Sequence, residues 1–191
     1  QDLIKDVDYG ETHGWRELKL VDCCNIRDSE RIPLNSSERE EKKPGNIPYY
    51  GANGVLDYID DYIFDGEFVL LAEDGGHFEE YQTRPVAYKI SGKAWVNNHA
   101  HILEAGDLIS TDWLLYVLEH KNLVPFIGGS TRSKLTKTML KKVRVPVPPR
   151  SVQEEITSII RNADQFLRLY EEDIERYRRL KSGLMQDLLT G

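Results

Sequence analysis

The sequence predicts an α+β protein: a mixed, mostly antiparallel sheet domain with short helices over residues 1–150, followed by a long C-terminal coiled-coil helix over residues 151–191. Three observations support this division. Short apolar runs alternate with turns rich in Gly, Asn and Asp through the first part of the chain. The pair Pro148-Pro149 ends that pattern. An apolar repeat with a mean spacing of 3.5 residues then follows.

The first half of the chain contains most of the predicted strands. Trp15 to Ile26 is predicted as a strand, and the polar residues 27–46 as a long loop. The pair Asn53-Gly54 lies between apolar runs and favours a hairpin, because both residues tolerate positive φ. Three more strands are predicted in IFDGEFVLLAE, VAYKI and AWVNNHAHILEA, with turns at residues 74–76 and 91–93.

The remaining elements of the first part are short. A helix is predicted from Asp112 to Lys121, capped by Thr111 or Asp112. The segment TKTMLKK predicts a short helix capped by Thr136. The segment VRVPVP predicts an edge strand, because its prolines cannot donate to neighbours on both sides.

The C-terminal segment has the pattern of a coiled-coil helix. Ser151 and Glu154 predict a capping box at its start. From Ile156, steps of four and three residues connect ten positions, nine of them apolar. This stripe, the seam, supplies the predicted dimerisation residues: Ile160, Ala163, Leu167, Tyr170, Ile174, Tyr177, Leu184 and Leu188.

The length of the seam predicts a partner helix. Its ~33 residues span about 50 Å, whereas a domain of about 150 residues has a radius of gyration near 15 Å. An ordinary core helix that folds back on its own domain is the alternative. Acidic residues at 171–175 precede basic residues at 176–181, so an antiparallel homodimer places acid beside base.

Composition narrows the class of protein. The chain has 191 residues, a formal charge of -7, 40% apolar and 9% aromatic residues, which excludes collagen-like and fully disordered chains. The only cysteines, Cys23 and Cys24, are neighbours and predict neither a disulfide framework nor a zinc site. No apolar run approaches the ~20 residues of a membrane span. We therefore expect a cytoplasmic protein.

The charge is separated along the chain. Residues 57–80 carry a formal charge of -9 and residues 121–150 a formal charge of +8. A basic segment of this kind permits binding to nucleic-acid phosphates, although blocks of one sign are often solvated faces. The acidic block is expected to face away from DNA or toward a basic partner.

Four segments resemble the specificity (S) subunits of type I restriction-modification systems. They are IPYYGANGVLDYIDDYIFDGEFVLLAEDG, WVNNHAHIL, GSTRSKLTKTMLKKVRVPVPPRSVQEEI and LKSGLMQDLLTG, and together they are spread over most of the chain. Their order and spacing carry the resemblance, since no single segment is decisive.

The resemblance implies a target recognition domain followed by a helical spacer, a pair that a full subunit contains twice. It implies that each domain reads half of a split site in double-stranded DNA. It also implies that the spacers pair in antiparallel fashion and dock modification (methyltransferase) subunits, which connect to the restriction subunit. This chain has one such pair, so it is a half-size subunit that dimerises or one half of a larger chain. A homodimer predicts an inverted-repeat target, and a coil of about 50 Å limits half-site separation to roughly 15 base pairs.

Candidate DNA-binding residues come from the turns and from the basic segment. Phosphate contacts suit cations beside a flexible loop, and base reading suits side chains on turns that can enter a groove. Asn53 and Asn97 are further candidates, with structural roles as the simpler interpretation. The predicted DNA-binding set is Gln82, Thr83, Arg84, Asn98, Ser130, Thr131, Arg132, Lys134 and Lys137.

The alternatives are a metal-dependent nuclease or hydrolase and a protein-only adaptor. His99 and His101 would share one face of a strand, as paired metal ligands can, but no third ligand has a characteristic spacing. Glu17 and Lys19 match part of a magnesium nuclease motif, a spacing expected by chance. The sequence has no Walker loop and no amino-methyltransferase motif. We therefore predict a non-catalytic chain with no cofactor, whose partners hold S-adenosylmethionine and ATP.

Overall fold

The computed structural model describes residues 14–128 and 133–190. Within these residues the strands are β1 Arg16–Lys19, β2 Cys24–Ile26, β3 Ile47–Gly51, β4 Gly54–Ile59, β5 Phe64–Ala72, β6 Ala87–Val96, β7 Ala100–Ala105 and β8 Arg144–Val147. The helices are α1 Leu20–Cys23, α2 Ser36–Glu41, α3 Thr111–Glu119, α4 Lys137–Leu140 and α5 Arg150–Thr190.

The strands form two sheets. One has six strands in the order β2-β7-β5-β6-β3-β4, and the other pairs β1 with β8. All pairings are antiparallel except that of β3 with β6. The predicted fold class is confirmed in its mixed, mostly antiparallel sheet, its short helices and its long C-terminal helix. Pairing of that helix in a coiled coil stays a prediction.

The central strand β5 explains where the core lies. Its last five residues, Phe68–Ala72, are all buried, so both faces of the strand are covered and the sequence shows no alternation there. Phe64 and Phe68 pack edge to face, and Ile90 and Ile102 from the flanking strands join the same cluster. Helix α3 packs against β5, β6 and β7.

The predicted first strand is wrong in one respect. Residues 15–26 do not form one strand, because the helical turn α1 separates β1 from β2. β1 pairs with β8 and β2 pairs with β7, so the two halves belong to different sheets. Leu20, at the start of α1, is fully buried, and its N–H donates to the Val143 carbonyl at 2.9 Å. Burial of this turn overrides the strand preference of the surrounding residues.

A pair of glycines replaces the turn predicted at residues 91–93. β6 runs through this segment, and Gly92 lies opposite Gly66 of β5, both with positive φ (78° and 150°). Three residues connect the end of β6 to β7, whose first residue pairs with Ala72 at the far end of β5. If β5 were straight, the end of β6 and the start of β7 would lie about 26 Å apart. The three-residue connection between them can span only about 15 Å. The strand pair must therefore bend at the glycines, so that the end of β6 returns toward the start of β7.

The segment 94–105, predicted as one strand, is divided by this connection. β6 ends at Val96 and β7 begins at Ala100. Asn97 accounts for the break, because its side-chain oxygen accepts a hydrogen bond from the His99 N–H at 2.8 Å and closes a turn.

Several local predictions are confirmed. The Asn53-Gly54 hairpin joins β3 to β4, with Gly54 at φ 118°. Thr136 caps α4 by accepting from the Met139 N–H, and β8 lies at a sheet edge. Helix α3 is also present, although its cap is Ser110 and its end is Glu119. The long loop 27–46 contains α2, which Asn35 caps through a complete capping box.

Helix α5 begins at Arg150, one residue before the predicted capping residue Ser151. The buried side chain of Gln153 holds this start. Its oxygen accepts from the Ser110 N–H at 2.9 Å, and its amide donates to the carbonyls of Leu108 and Pro148 at 2.9 Å each. One glutamine thus satisfies three backbone groups, one buried and two partly buried, a role that no sequence pattern indicated.

Two compact units divide the chain, residues 1–153 and residues 154–191. The second unit consists, where it is described, of α5, whose 41 residues measure about 60 Å along the axis. None of the described helices combines the length and the apolar character that a membrane span needs. The assignment of separate functions to residues 1–150 and 151–191 stays a prediction.

We predict that Gln153→Met lowers the free energy of unfolding by about 2–3 kcal/mol, because three backbone groups lose their partner. Urea denaturation followed by circular dichroism measures the change. The matched control is Gln165→Met, an exposed position on the same helix, with an expected change below about 0.5 kcal/mol. Equal stability of the two variants would contradict the role of Gln153.

Candidate nucleic-acid interface

Four loops that are distant in sequence converge where the bent strands end. We call residues 51–54, 73–77, 97–99 and 133–137 the turn cluster. The bend at Gly66 and Gly92 creates this convergence, because it brings the end of β6 beside the end of β5. Three of the four loops contain residues that the sequence marked as DNA-binding candidates.

Hydrogen bonds join the loops of the turn cluster directly. The side-chain amide of Asn53 donates to the Gly75 carbonyl at 2.9 Å. The Glu73 N–H donates to the His99 carbonyl at 2.8 Å, and the Glu73 carbonyl accepts from the Leu135 N–H at 2.8 Å. Each of these bonds has at least one backbone donor or acceptor. The fold therefore fixes the relative positions of the loops, and exposed side chains alone do not.

The predicted base-reading residues lie on two exposed segments. Gln82, Thr83 and Arg84 are exposed in the connection that leads into β6. Asn98 is exposed at the tip of the third loop, whereas its neighbour Asn97 is buried and closes the turn. The structure therefore separates the two asparagines: Asn97 has a structural role, and Asn98 is available to a ligand.

The predicted phosphate-binding residues fall into three groups. Lys137 is exposed as the first residue of α4. Lys134 is half-exposed, and its ammonium group pairs with Glu73 at 2.8 Å. Three candidates lie outside the described residues: Ser130, Thr131 and Arg132.

A cleft of about 440 Å³ brings two of the candidate segments together. Asn53 from the hairpin and Arg84 from the exposed connection both line it, together with His77. Its aromatic residues are Tyr50 and Tyr88, whose ring centroids are 5.9 Å apart. Burial raises the pKa of the Tyr88 phenol, whose hydroxyl donates to the Gly51 carbonyl.

The cleft offers a polar rim and an aromatic wall on one surface. His77 and Tyr88 were missed by sequence reasoning, because neither belongs to a motif. Tyr50 contacts Tyr88 and also lines the cleft. A bidentate donor such as Arg84 beside an amide such as Asn53 is the kind of group that reads base edges.

A buried ionic network lies beneath the turn cluster. His101 contacts Asp28 at 2.6 Å through Nδ1. Glu73 accepts from Arg31 at 2.7 Å and pairs with Lys134 at 2.8 Å. Arg31 also lies 3.7 Å from Asp28. Five ionisable side chains from segments that are up to 106 residues apart in sequence therefore form one network.

The two ring nitrogens of His101 have separate partners. Nδ1 lies 2.6 Å from the Asp28 carboxylate, and Nε2 lies 2.7 Å from the Leu135 carbonyl oxygen. Burial alone would raise the pKa of Asp28, but the bonds from His101 and the Ile102 N–H, together with the charge of Arg31, hold it below its usual range. Asp28 is then ionised at neutral pH. The Leu135 carbonyl can only accept, so Nε2 donates to it.

The same network was the best candidate for a metal site. Among the described residues, Asp28, Glu73 and His101 are the group whose potential ligand atoms lie within 4.8 Å of one another. Those atoms already have protein partners, since Glu73 binds Arg31 and Lys134 and His101 bonds to Asp28 and to the Leu135 carbonyl. His99 bonds to Asp74 instead. The residues therefore fit a structural ion-pair network and do not fit a metal centre.

The acidic block does not form one uncompensated face. Asp57 pairs with Lys43 at 3.0 Å and Asp61 with Lys42 at 2.8 Å, and these hydrogen bonds hold the pKa of both carboxyls below its usual range. Further acids of the block pair with other cations: Glu67 with Lys89, Glu73 with Arg31, Asp74 with His99, and Glu80 with Arg84. The separation of charge along the sequence is thus largely cancelled in three dimensions.

We predict that Asp28→Asn lowers the free energy of unfolding at pH 7 by about 2–4 kcal/mol, because the buried network loses the carboxylate that bonds to His101 and lies beside Arg31. The pKa of Asp28 is depressed in the fold, so its contribution is present above about pH 4 and is lost as the pH falls through the folded-state pKa. The difference between wild type and variant should therefore shrink below pH 4 in urea titrations. Asp107→Asn, at an exposed position, is the control and should cost less than about 0.5 kcal/mol. A difference that is independent of pH would contradict an ionised Asp28.

Known proteins resemble this chain in sequence and in fold. A family model for the type I restriction modification DNA specificity domain matches residues 12–176. A putative type I restriction enzyme specificity subunit of Haemophilus influenzae is 42% identical over 152 residues, covering 79% of this chain and 37% of that protein. The specificity subunit of the Escherichia coli EcoprrI type I restriction enzyme is 23% identical over 164 residues, covering 86% and 39%.

A solved structure agrees with the fold. The crystal structure of a type I restriction-modification S subunit from M. genitalium superposes with a TM-score of 0.66 at 11% identity, over 83% of this chain and 41% of that one. The chain spans about two fifths of the length of the first curated relatives it matches. The family model covers most of the chain, which confirms the resemblance seen in the four sequence segments: this protein belongs to the type I restriction-modification DNA specificity domain family.

Proposed function

We propose that the chain is a non-catalytic DNA specificity subunit that reads one half of a bipartite site in double-stranded DNA. The observation that carries the proposal is the convergence of separate candidate segments on the turn cluster in a chain of this family. A surface assembled from loops on a rigid sheet allows the loops to vary while the scaffold stays constant. Such a surface suits a protein whose task is to recognise one sequence among many.

Different parts of the surface suit different contacts. Arg84, Asn98 and Gln82 carry the donors and acceptors that read base edges, and all three are exposed. Lys137 suits a phosphate, because a lysine is a point charge that does not discriminate between bases. Lys134 forms an ion pair with Glu73, and this pair holds the lysine ammonium group near the surface in the absence of DNA.

Two substitutions should separate these roles. Arg84→Ala is expected to change the sequence that the protein selects from a pool of randomised duplexes, because a base contact is lost. Lys137→Gln is expected to leave the selected sequence unchanged and to weaken all binding by a similar factor. Lys43→Gln, which removes a surface cation from the Glu40 and Asp57 pairs, is the control. Selection followed by sequencing measures preference, and fluorescence anisotropy measures affinity. Identical preference and affinity in all three variants would contradict the proposed surface.

The seam on α5 supports a homodimer. Leu167, Tyr170 and Ile174 are 60%, 66% and 50% exposed in the single chain. Removing a row of such side chains from water favours association at about 25 cal/mol per Å² of apolar surface. We propose that a second copy covers the seam. Two-fold symmetry then makes the target an inverted repeat.

Charge favours antiparallel pairing in this dimer. Acids at 171–175 and bases at 176–181 would meet like charges in a parallel dimer in register. An antiparallel dimer centred near Arg176 places unlike charges together. These exposed pairs contribute only tenths of a kcal/mol each, so they select the orientation while apolar burial supplies the affinity. Antiparallel pairing places the two recognition domains at opposite ends of the coil.

A second apolar row on α5 supports docking of modification subunits. Ile159, Phe166 and Leu180 occupy equivalent positions of the repeat, adjacent to the seam, and are 62%, 62% and 57% exposed, while Asp173 and Asp187 hold the other two such positions. A two-stranded coil needs only the narrow seam, whereas a wider apolar face is typical of larger helical bundles. We propose that this row binds the modification subunits, which supply S-adenosylmethionine binding and connect to the restriction subunit. This assembly would be cytoplasmic.

Leu167→Glu with Ile174→Glu should convert the homodimer into a monomer, because charges in the seam would be buried without partners. Multi-angle light scattering is expected to give twice the chain mass of 22.0 kDa for the wild type at micromolar concentration and a single chain mass for the variant. Gln165→Glu with Gln186→Glu adds the same charges on the opposite side of the helix and should remain dimeric. A monomeric wild type would contradict the homodimer.

A further inference from the structure

The cations of the first unit divide into two groups. Most of those described pair with a carboxylate within 4.0 Å: Arg27, Arg31, Arg39, Lys42, Lys43, Arg84, Lys89, Lys134 and Arg144. A second group is exposed and has no ion pair with any carboxylate in the part of the chain that the structure describes: Arg16, Lys19, Lys93, Lys137, Lys141 and Lys142. The Lys93 ammonium group lies 4.4 Å from the centroid of the Tyr62 ring, and the other five come from two places in the sequence, β1 and the segment around α4.

The fold brings these two places together. Lys19 lies directly opposite Arg144 in the β1–β8 pair. The neighbouring residues are also joined, because the Leu20 N–H donates to the Val143 carbonyl at 2.9 Å. Lys141 and Lys142 lie between the end of α4 and Val143, so they lie next to this strand pair. The strand pairing therefore brings Lys19 near Lys141, which is 122 residues later in the sequence.

The acids near this surface do not neutralise it. Glu17 pairs with Arg144 through both its side chain and its carbonyl oxygen. Asp22, in α1, is the other nearby acid in sequence, and it forms no ion pair with a described cation. Like charges directly opposite each other, as Lys19 and Arg144 are, destabilise a strand pair. The fold elsewhere pairs its cations, so this arrangement points to an external anion.

Continuity with the turn cluster identifies that anion. Lys137 belongs to the turn cluster and opens α4, and the helix leads after one turn to Lys141 and Lys142. The four residues of α4 rise about 6 Å, so Lys141 follows the turn cluster at a short distance. We infer that Lys19, Lys141 and Lys142 form a cationic track that binds DNA phosphates flanking the bases read by the turn cluster. This inference rests on the proposed DNA-binding function.

The chemistry of the track favours a phosphate backbone over an acidic protein surface. The cations of the track are lysines, which bind phosphates as point charges and have no requirement for base sequence. Protein interfaces need a buried apolar core, whereas Val21, at 38% exposure, is the one exposed large apolar residue next to these cations in the described sequence. The track would therefore extend the DNA footprint without adding specificity.

The test uses a mixed-sequence 30-base-pair duplex, because phosphate contacts do not require the target sequence. The variant Lys19→Gln, Lys141→Gln, Lys142→Gln is compared in the full chain with the control Lys42→Gln, Lys43→Gln, Lys93→Gln, which has the same net charge. Fluorescence anisotropy at several salt concentrations gives the slope of log K against log[salt]. Each lost phosphate contact reduces the magnitude of that slope by about 0.9, so the track variant should lose about 2.7. The control should keep the wild-type slope.

The possible results distinguish failure of the cationic track from failure of the proposed DNA-binding function. Wild-type binding with equal slopes for all three proteins would overturn the track and leave the proposed DNA-binding function intact. Absence of salt-dependent binding by the wild type would overturn both. Thermal unfolding of each variant confirms that it is folded, and a single substitution, Lys142→Gln, provides a second comparison with an expected slope change of about 0.9.

Discussion

The surface that we assign to DNA depends on one largely buried network of hydrogen bonds and ion pairs. His101 bonds to Asp28 on one side and to the Leu135 carbonyl on the other. Glu73 closes the network by binding Arg31 and Lys134. Burial of charge is costly unless each group is paired, so this network tolerates few other arrangements of the four segments that supply it. It thereby gives exposed loops a fixed position, which recognition of a base sequence requires.

The C-terminal helix has the opposite property, because its apolar side chains are left without partners in a single chain. Leu188 and Leu189 are 79% and 81% exposed, and the exposed row continues back to Ile159. A helix of this kind is stable through what it binds. We propose that the first unit carries recognition and that the helix serves assembly with a partner. This division agrees with a family in which specificity and catalysis reside in different subunits.

Much of this could be predicted from the sequence, because local signals there agree with the fold. The hairpin at Asn53-Gly54, the cap at Thr136 and the long helix follow from turn, capping and repeat patterns. The errors arose where tertiary burial overrode local preference. Leu20 is buried in a helical turn that interrupts an apparent strand, and Gly92 bends a strand where a turn was expected. Charge blocks were the weakest guide, since Asp57, Asp61 and their neighbours find cations that lie far away in sequence.

The candidate site was predictable in its parts but not in its assembly. Arg84 and Asn98 were identified from residue type and exposure expected on turns, and both are exposed. The contact of Asn53 with Gly75 and the cleft that Tyr88 and His77 share with Arg84 depend on the bend of the sheet. In the sequence, that bend is marked only by Gly66 and Gly92. That these glycines lie opposite each other is evident only from the strand register.

Hydrogen–deuterium exchange of the intact chain, with and without a duplex that contains its selected site, tests whether the turn cluster binds DNA. We expect DNA to slow exchange of backbone amides at residues 51–54, 73–77, 97–99 and 133–137, while amides on the surface near α2 keep their rates. Unchanged exchange in those four loops, together with protection elsewhere in the first unit, would contradict the assignment of the turn cluster as the DNA-binding surface.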